Sequence, residues 1–126
     1  SIGEQGYSNV GAVVGATFPE EAARLRALLP STLFLMPGYG TQGAKAEMLT
    51  NGFDANGRGA KVNSSSGIDY AFSGNDGKMK EFMNKYPHLI DPHRFAEAAR
   101  QATIDGIIEI NDALKAADKL PEKWAA

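Results

Sequence analysis

The chain of 126 residues has room for one modest domain, and its composition, 43% hydrophobic and 22% charged, is ordinary for a globular protein. With a formal net charge of −2, the chain has no basic field that would attract nucleic acid or an anionic membrane surface. Because it has no cysteine, it can form neither disulfides nor thiolate metal or redox sites. No apolar run approaches the roughly 20 residues that a membrane span needs. The chain begins with Ser-Ile rather than Met, as a processed piece would, and its first residues carry no basic signal region. The lack of cysteine fits a reducing compartment, and we expect a cytoplasmic location.

Three short apolar runs predict β-strands, at Gly11–Ala16, Leu33–Met36 and Gly59–Asn63. Glycine and proline bound all three. The first two runs are continuous rather than alternating, which is typical of parallel strands buried on both faces.

Helical patterns alternate with these strands. The first follows Thr17, which has capping-box spacing to Glu20, and ends at Pro30. Its apolar stripe is predicted to be Ala22, Leu25, Leu28 and Leu29. Short helices are predicted in "AKAEML" and "GKMKEFMNKY". The longest is predicted from about Pro92 to Lys119, capped by Asp91, with an approximate buried stripe of Phe95, Ala99, Ala102, Ile107, Ile110, Leu114 and Ala117.

This order of elements predicts an α/β fold with βαβ units and a parallel sheet. Three parallel strands are too few for an independent domain, because two edges remain unpaired and one face is poorly covered. We therefore expect either association or a fragment of a larger fold.

Ligands of α/β folds bind at the carboxyl ends of the strands, so the segments that follow the strands carry the candidate site. The second strand is followed by Gly38, Gly40 and Gly43, whose bare backbone can approach an anion, and by Gln42, whose amide can donate and accept. The third is followed by Asn63–Gly67, a serine run suited to phosphate. Consecutive final strands with both features match the phosphate site of a TIM barrel.

Plainer interpretations remain open. A glycine-rich segment is often only a turn, and a serine run is often a solvated loop or a helix cap. His88 and His93 flank Asp91 but lack further ligands, which favours surface and cap roles over a metal site. Lys61 is either a site lysine or a strand-end side chain that extends to solvent.

Three motifs in register resemble a known family. "VGAVVGATFPEEAARLRALLP", "FLMPGYGTQGA" and "GAKVNSSSGIDYA" resemble the C-terminal part of longer-chain bacterial orotidine 5'-phosphate decarboxylases, closely over about residues 7–72, and "FAEAARQA" fits the last helix. The resemblance implies that residues 1–126 are the last three β/α units, strands six to eight, of a TIM (β/α)8 barrel. It implies conversion of orotidine monophosphate to uridine monophosphate, no cofactor or metal, and a dimer or pairing with the missing barrel half.

The resemblance also implies roles for particular residues. Gln42 would bridge the phosphate and the pyrimidine, and Pro37, Gly38 and Tyr39 would line the base and ribose, with Gly43 in the same loop. Ser65 and Ser66 occupy the positions where the family presents a backbone N–H and an arginine to the phosphate.

Two departures from the family pattern follow. The catalytic lysine and aspartates of the family lie on earlier strands, so this chain alone is expected to be inactive, with no catalytic residue of its own. Ser66 stands where the family has arginine, and Arg58 precedes its strand and so cannot replace it. Two alternatives therefore remain: a non-catalytic phosphate- or nucleotide-binding module, and an unrelated phosphate-handling barrel half.

Overall fold

A computed structural model describes residues 1–40, 42–74 and 77–120 of the chain. Its centre is a parallel sheet of three strands in the order β1, β2, β3, formed by Gly11–Val13, Leu33–Met36 and Ala60–Val62. Adjacent strands pair in register, with Ala12 opposite Phe34 and Phe34 opposite Ala60. The predicted parallel α/β arrangement is thus confirmed, although β1 and β3 are shorter than the apolar runs.

Five α-helices follow or connect the strands, and short 3₁₀ turns link several of them. The helices are α1 (Pro19–Leu28), α2 (Ala46–Leu49), α3 (Ser65–Asp69), α4 (Gly77–Lys85) and α5 (Phe95–Ala116). The 3₁₀ turns are Thr50–Gly52, Ala71–Ser73, Pro87–Leu89 and Pro92–Arg94. The predicted long C-terminal helix is confirmed, and no helix among these described residues has the length and apolarity to cross a membrane.

Two predicted helix caps have different outcomes. Asp91 does cap the turn that leads into α5, because its carboxylate accepts the backbone N–H of His93 at 2.8 Å. The capping box at Thr17 is wrong, since the capping residue of α1 is Phe18 and makes no side-chain hydrogen bond. With Pro19 at the first helical position, Thr17 lies one residue outside the cap.

The helices cover one face of the sheet. Phe34 and Met36 point into that core and are 1% and 0% exposed. On the opposite face Val13 is 71% exposed, and Leu33 and Leu35 are 48% and 41% exposed. Burial of both faces, expected from the continuous apolar runs, is therefore wrong for this chain by itself: the runs carry apolar side chains on both faces, but the described helices pack on only one.

The helix stripes are also only partly correct. In α1 the buried positions are Ala22 and Arg26, whereas Leu28 is exposed. In α5 the buried residues are Ala98, Ala113 and Leu114, while three stripe members, Phe95, Ile107 and Ala117, are exposed. The reason is that α5 spans two apolar clusters: its end packs in the sheet core, and its start packs on a second cluster formed by Ala71, Phe82, Leu89 and Ala98. One continuous stripe cannot serve both.

Arg26 is buried at the amino end of the sheet, which the sequence did not indicate. Its guanidinium donates to five backbone carbonyls at 2.7–3.3 Å, those of Gly52, Leu29, Pro30, Thr32 and Gly59. It also lies 3.8 Å from the centroid of the Phe34 ring. Arg26 therefore connects α1 to the beginnings of two strands.

Candidate functional site

The segments that follow β2 and β3 meet at the carboxyl end of the sheet. They enclose a small cavity of about 60 Å³, lined by Gly38, Tyr39, Gln42, Asn63, Ser64, Ser65 and Ser66. We call residues 37–44 the glycine loop and residues 63–67 the serine loop. The structure thus brings together five of the seven substrate-binding candidates, as expected for two adjacent parallel strands.

The glycine loop folds back on itself through three backbone hydrogen bonds. Gly40 N–H donates to Ala44 O at 3.0 Å, Gly43 N–H to Gly40 O at 2.9 Å, and Ala44 N–H to Gly38 O at 3.1 Å. Gly38, Gly40 and Gly43 have φ of +104°, +82° and +93°, a region that favours glycine. A Cβ on Gly38 would lie 3.3 Å from Oε1 of Gln42, so the glutamine amide approaches bare backbone there.

The serine loop is held to the sheet and to the glycine loop. Asn63 N–H donates to Met36 O at 3.1 Å, which extends the strand pairing. The Asn63 amide and the Ser65 hydroxyl are within 3.2 Å of each other. Ser64 Oγ donates to Tyr39 O at 3.4 Å, a long contact that joins the two loops. Ser65 is exposed and Ser66 is half-buried where α3 begins.

Tyr39 lines the small cavity while its ring is buried in the core. It is 6% exposed, and its hydroxyl donates to Oε2 of Glu109 on α5 at 2.5 Å. Burial, and then the Glu109 carboxylate, raise the pKa of Tyr39 far above its usual range. The hydroxyl therefore remains a protonated donor, and the ring belongs to the core cluster.

Pro37 and Gly43 do not line the small cavity. Pro37 is half-buried, and its carbonyl accepts the N–H of Ala16 at 2.9 Å, which continues the pairing of the strands. Gly43 is exposed and closes the turn with Gly40. In this structure both residues shape the glycine loop.

The small cavity has little charge of its own. Its described lining contains neither lysine nor arginine. Arg58 precedes β3, at the end of the sheet opposite the cavity, as expected, and its backbone N–H donates to Asp54. Within residues 1–40, 42–74 and 77–120, no group of three or more histidine or acidic side chains could hold a metal ion. The polar groups at the cavity are therefore neutral amides, hydroxyls and backbone groups.

A larger cavity of about 230 Å³ lies beside the small one, bounded by α3, α4 and α5. It shares Tyr39 and Ser64 with the small cavity, and apolar Phe82 and Ile110 also line it. Lys85 and Asp105 belong to the same lining and form an ion pair, with Nζ of Lys85 3.0 Å from Oδ2 of Asp105. The sequence reasoning missed this cavity. No local signal could have found it, because it depends on how α4 and α5 pack.

The amino-acid sequence is similar to those of several named proteins. Similar curated proteins named orotidine 5'-phosphate decarboxylase come from Caldicellulosiruptor bescii, 56% identical over 71 residues, and Rhodopirellula baltica, 42% identical over 110 residues. A third, from Clostridium perfringens, is 35% identical over 113 residues. These alignments cover 56%, 87% and 90% of the chain but only 23%, 32% and 34% of the relatives.

The chain is thus homologous to orotidine 5'-phosphate decarboxylases and spans about a quarter to a third of the length of the relatives it matches, 23–34%. The resemblance identified from the three motifs is confirmed. No family model and no solved structure matches the chain.

Proposed function

We propose that this chain is the C-terminal part of an orotidine 5'-phosphate decarboxylase, a carboxy-lyase of pyrimidine biosynthesis that releases CO2 from orotidine monophosphate to give uridine monophosphate. The observation that carries the proposal is the pairing of the glycine and serine loops around one polar cavity, in a chain 35–56% identical to relatives of that name. We further propose a cytoplasmic location for the whole protein.

In this proposal the two loops hold the nucleotide and leave the chemistry to residues elsewhere in the protein. Gln42 has a donor and an acceptor on one amide, so it can contact a phosphate oxygen and a pyrimidine together. The N–H groups and hydroxyls of Ser65 and Ser66 complete the phosphate contacts. Pro37, Gly38, Tyr39 and Gly43 hold the loop backbone close enough for Gln42 to reach both groups.

Decarboxylation requires charged groups that the small cavity lacks. A carboxylate that crowds the substrate carboxylate and an ammonium that protonates the remaining carbon are the roles assigned to the family's aspartate and lysine. The cavity lining contains neither residue type. We therefore propose that residues 1–126 alone do not catalyse the reaction and that the whole enzyme requires no metal or cofactor.

The exposed sheet face supports a partial TIM barrel, with β1 to β3 as strands six to eight and α5 as the final helix. Val13, Leu33 and Leu35 form an apolar face without cover from the described helices. In a closed barrel such a face packs against side chains of the remaining strands. The remaining part of the barrel, or a second copy of the chain when it is isolated, is the proposed partner of this face.

A second candidate is a non-catalytic phosphate- or nucleotide-binding module. The observation that favours it is Ser66, which stands where the family pattern has an arginine, together with the lack of a cation in the cavity lining. A guanidinium on phosphate makes charge-assisted hydrogen bonds of about 1.5–3 kcal/mol each, so its absence weakens binding substantially.

Activity measurements on the isolated chain and on the whole protein test the decarboxylase proposal. We expect loss of orotidine monophosphate with the whole protein and none with the chain alone. Gln42→Ala in the whole protein should reduce kcat/KM by at least tenfold, as expected for an amide that contacts two substrate groups. Gln5→Ala, which removes an exposed amide outside the cavity, is the matched control. Activity in neither protein would overturn the proposal.

Calorimetric titration with uridine monophosphate distinguishes the two candidates. A retained binding module should bind the nucleotide as the isolated chain, whereas a mere fragment should not. Ser66→Arg should tighten binding by roughly tenfold or more if the phosphate lies at the serine loop, because it restores a charge-assisted contact. Gln5→Arg adds the same charge elsewhere and should leave affinity unchanged. Equal effects of the two arginines would place the phosphate elsewhere.

A further inference from the structure

Tyr39 is the large buried side chain of the glycine loop, which is also closed by its own backbone hydrogen bonds and packs Ala44 in the core. Its neighbours Gly38 and Gly40 both adopt positive φ, and glycines allow the backbone many alternative conformations. The Tyr39 ring, by contrast, is in the core cluster and is 6% exposed. The Tyr39 side chain therefore contributes, beside the backbone bonds and Ala44, to holding the glycine loop in one conformation.

The partner that holds the Tyr39 hydroxyl is Glu109, in the middle of α5. The hydrogen bond of 2.5 Å joins residues 70 positions apart in the chain. Gly106, one helical turn earlier, lies on the same side, and a Cβ there would be 3.6 Å from Cε1 of Tyr39. α5 thus presents a carboxylate acceptor and an open helix surface to the same ring.

The same tyrosine also connects the two loops of the candidate site. Its carbonyl accepts Ser64 Oγ, and its backbone lies between Gly38 and the N–H of Gly40 that closes the loop onto Ala44. A shift of the ring would therefore move the glycine loop, and the bond to Ser64 would transmit that shift to the serine loop.

We propose that Glu109 is a positioning residue for the nucleotide site, which fixes the glycine loop, and with it Gln42, through the buried hydroxyl of Tyr39. The identity of the ligand in this inference rests on the proposed function. The effect of Glu109 on the conformation of the glycine loop is independent of that function. Glu109 does not line the small cavity but lines the larger one beside it, together with Tyr39. Its carboxylate strengthens the bond, because hydrogen bonds to charged groups exceed neutral ones.

Hydrogen exchange of the isolated chain tests the effect on the loop without any ligand. In Glu109→Ala and Tyr39→Phe, the amides of Gly40, Gly43 and Ala44 should exchange about five- to twentyfold faster, as expected for losing one charge-assisted bond. The Val14 amide, which donates to Leu35 O in the sheet, should be unchanged.

Matched variants separate positioning from general destabilisation. Glu97→Ala removes a carboxylate from the same helix, where it pairs with exposed Arg94, and should leave the loop amides unchanged. Glu109→Gln keeps an acceptor and should recover at least half of the lost protection. Uniformly faster exchange, or unchanged loop amides in Glu109→Ala, would overturn the inference, and Tyr39→Phe, which also removes the bond, provides the same comparison if the alanine variant fails to fold.

Titration with uridine monophosphate then relates the loop to binding. If the chain binds the nucleotide, Glu109→Ala should weaken affinity by about the same factor as it speeds loop exchange, at a temperature where both proteins are folded. Unchanged affinity would overturn a positioning role. A third result is that the unmodified chain binds no nucleotide while the loop amides exchange faster in Glu109→Ala. That result would contradict nucleotide binding by the isolated chain and would support the link between Glu109 and the glycine loop.

Discussion

Replacing Arg26 with methionine should destabilise the chain more than any ordinary surface substitution. Arg26 is only 9% exposed, and two of its five carbonyl partners, Gly52 and Gly59, are bonded in buried surroundings at 2.9 and 2.7 Å. Methionine fills a similar volume against Phe34 but donates no hydrogen bond, so both carbonyls lose their arginine donor.

The size of the effect follows from these contacts. Gly52 O loses its donor in buried surroundings, which costs about 1–3 kcal/mol. Gly59 O keeps the backbone N–H of Phe34 at 2.9 Å, so it loses only the net value of one hydrogen bond, about 0.5–1.5 kcal/mol. Loss of the cation over the Phe34 ring adds about 1 kcal/mol. The three remaining carbonyls, of Leu29, Pro30 and Thr32, lie nearer solvent and can bond to water. We therefore expect the free energy of unfolding to fall by about 2.5–5.5 kcal/mol.

Urea unfolding followed by circular dichroism measures this loss. With a slope of about 2 kcal/mol per molar, in the middle of the range for small domains, the midpoint should fall by about 1–3 M. Arg24→Met, on the exposed side of the same helix, is the matched control and should change stability by less than about 0.5 kcal/mol. A loss below about 1 kcal/mol in Arg26→Met, with an unchanged slope, would show that the five bonds contribute little net stability.

Three further predictions concern helix α5, pH and the open sheet face. Gly106→Ala should raise the melting temperature by about 2–5 °C, because alanine is the better helix former. The added Cβ would lie 3.6 Å from Tyr39, an ordinary contact distance, so a lower melting temperature would show that the tyrosine ring needs the space. Burial would raise the pKa of Asp54, but hydrogen bonds from Tyr7 and two backbone N–H groups outweigh it and hold the pKa below its usual 3.8. The stability that Asp54 contributes should therefore be complete well above pH 3.8 and disappear as pH falls through the lower folded pKa. Asp54→Asn should accordingly weaken the acid dependence of stability in a pH series of urea titrations, and an unchanged dependence would contradict this. The isolated chain should self-associate in sedimentation, and Leu35→Glu on the open face should shift it toward monomer; a stable monomer before substitution would contradict this.

The order and type of the elements could be predicted from the sequence because they depend on local patterns. Three apolar runs bounded by glycine and proline gave three strands, and the Asp91–Pro92 signal correctly located the start of the final helical region. The polar segments after two neighbouring strands were expected to meet, since parallel strands end at the same edge, and they enclose one cavity. The three motifs were also sufficient to identify the related enzymes.

Which side chains are buried depended instead on contacts between distant segments. The apolar pattern of α1 predicted Leu28 as core, yet Arg26 is buried because three loops present carbonyl groups to it. The alternation of burial in β2 reflects the position of the helices, since a continuous apolar strand cannot indicate which face its own chain will cover.

The glycine loop shows the same division. The sequence by itself determined a bare backbone around Gln42 at the end of a strand, because glycine and proline dictate local conformation without help from the rest of the chain. Only the tertiary structure decided that the Tyr39 ring lies in the core and that its hydroxyl bonds Glu109, 70 residues later. That contact depends on the packing of α5 against the sheet, and no local pattern of residues specifies such a long-range pairing.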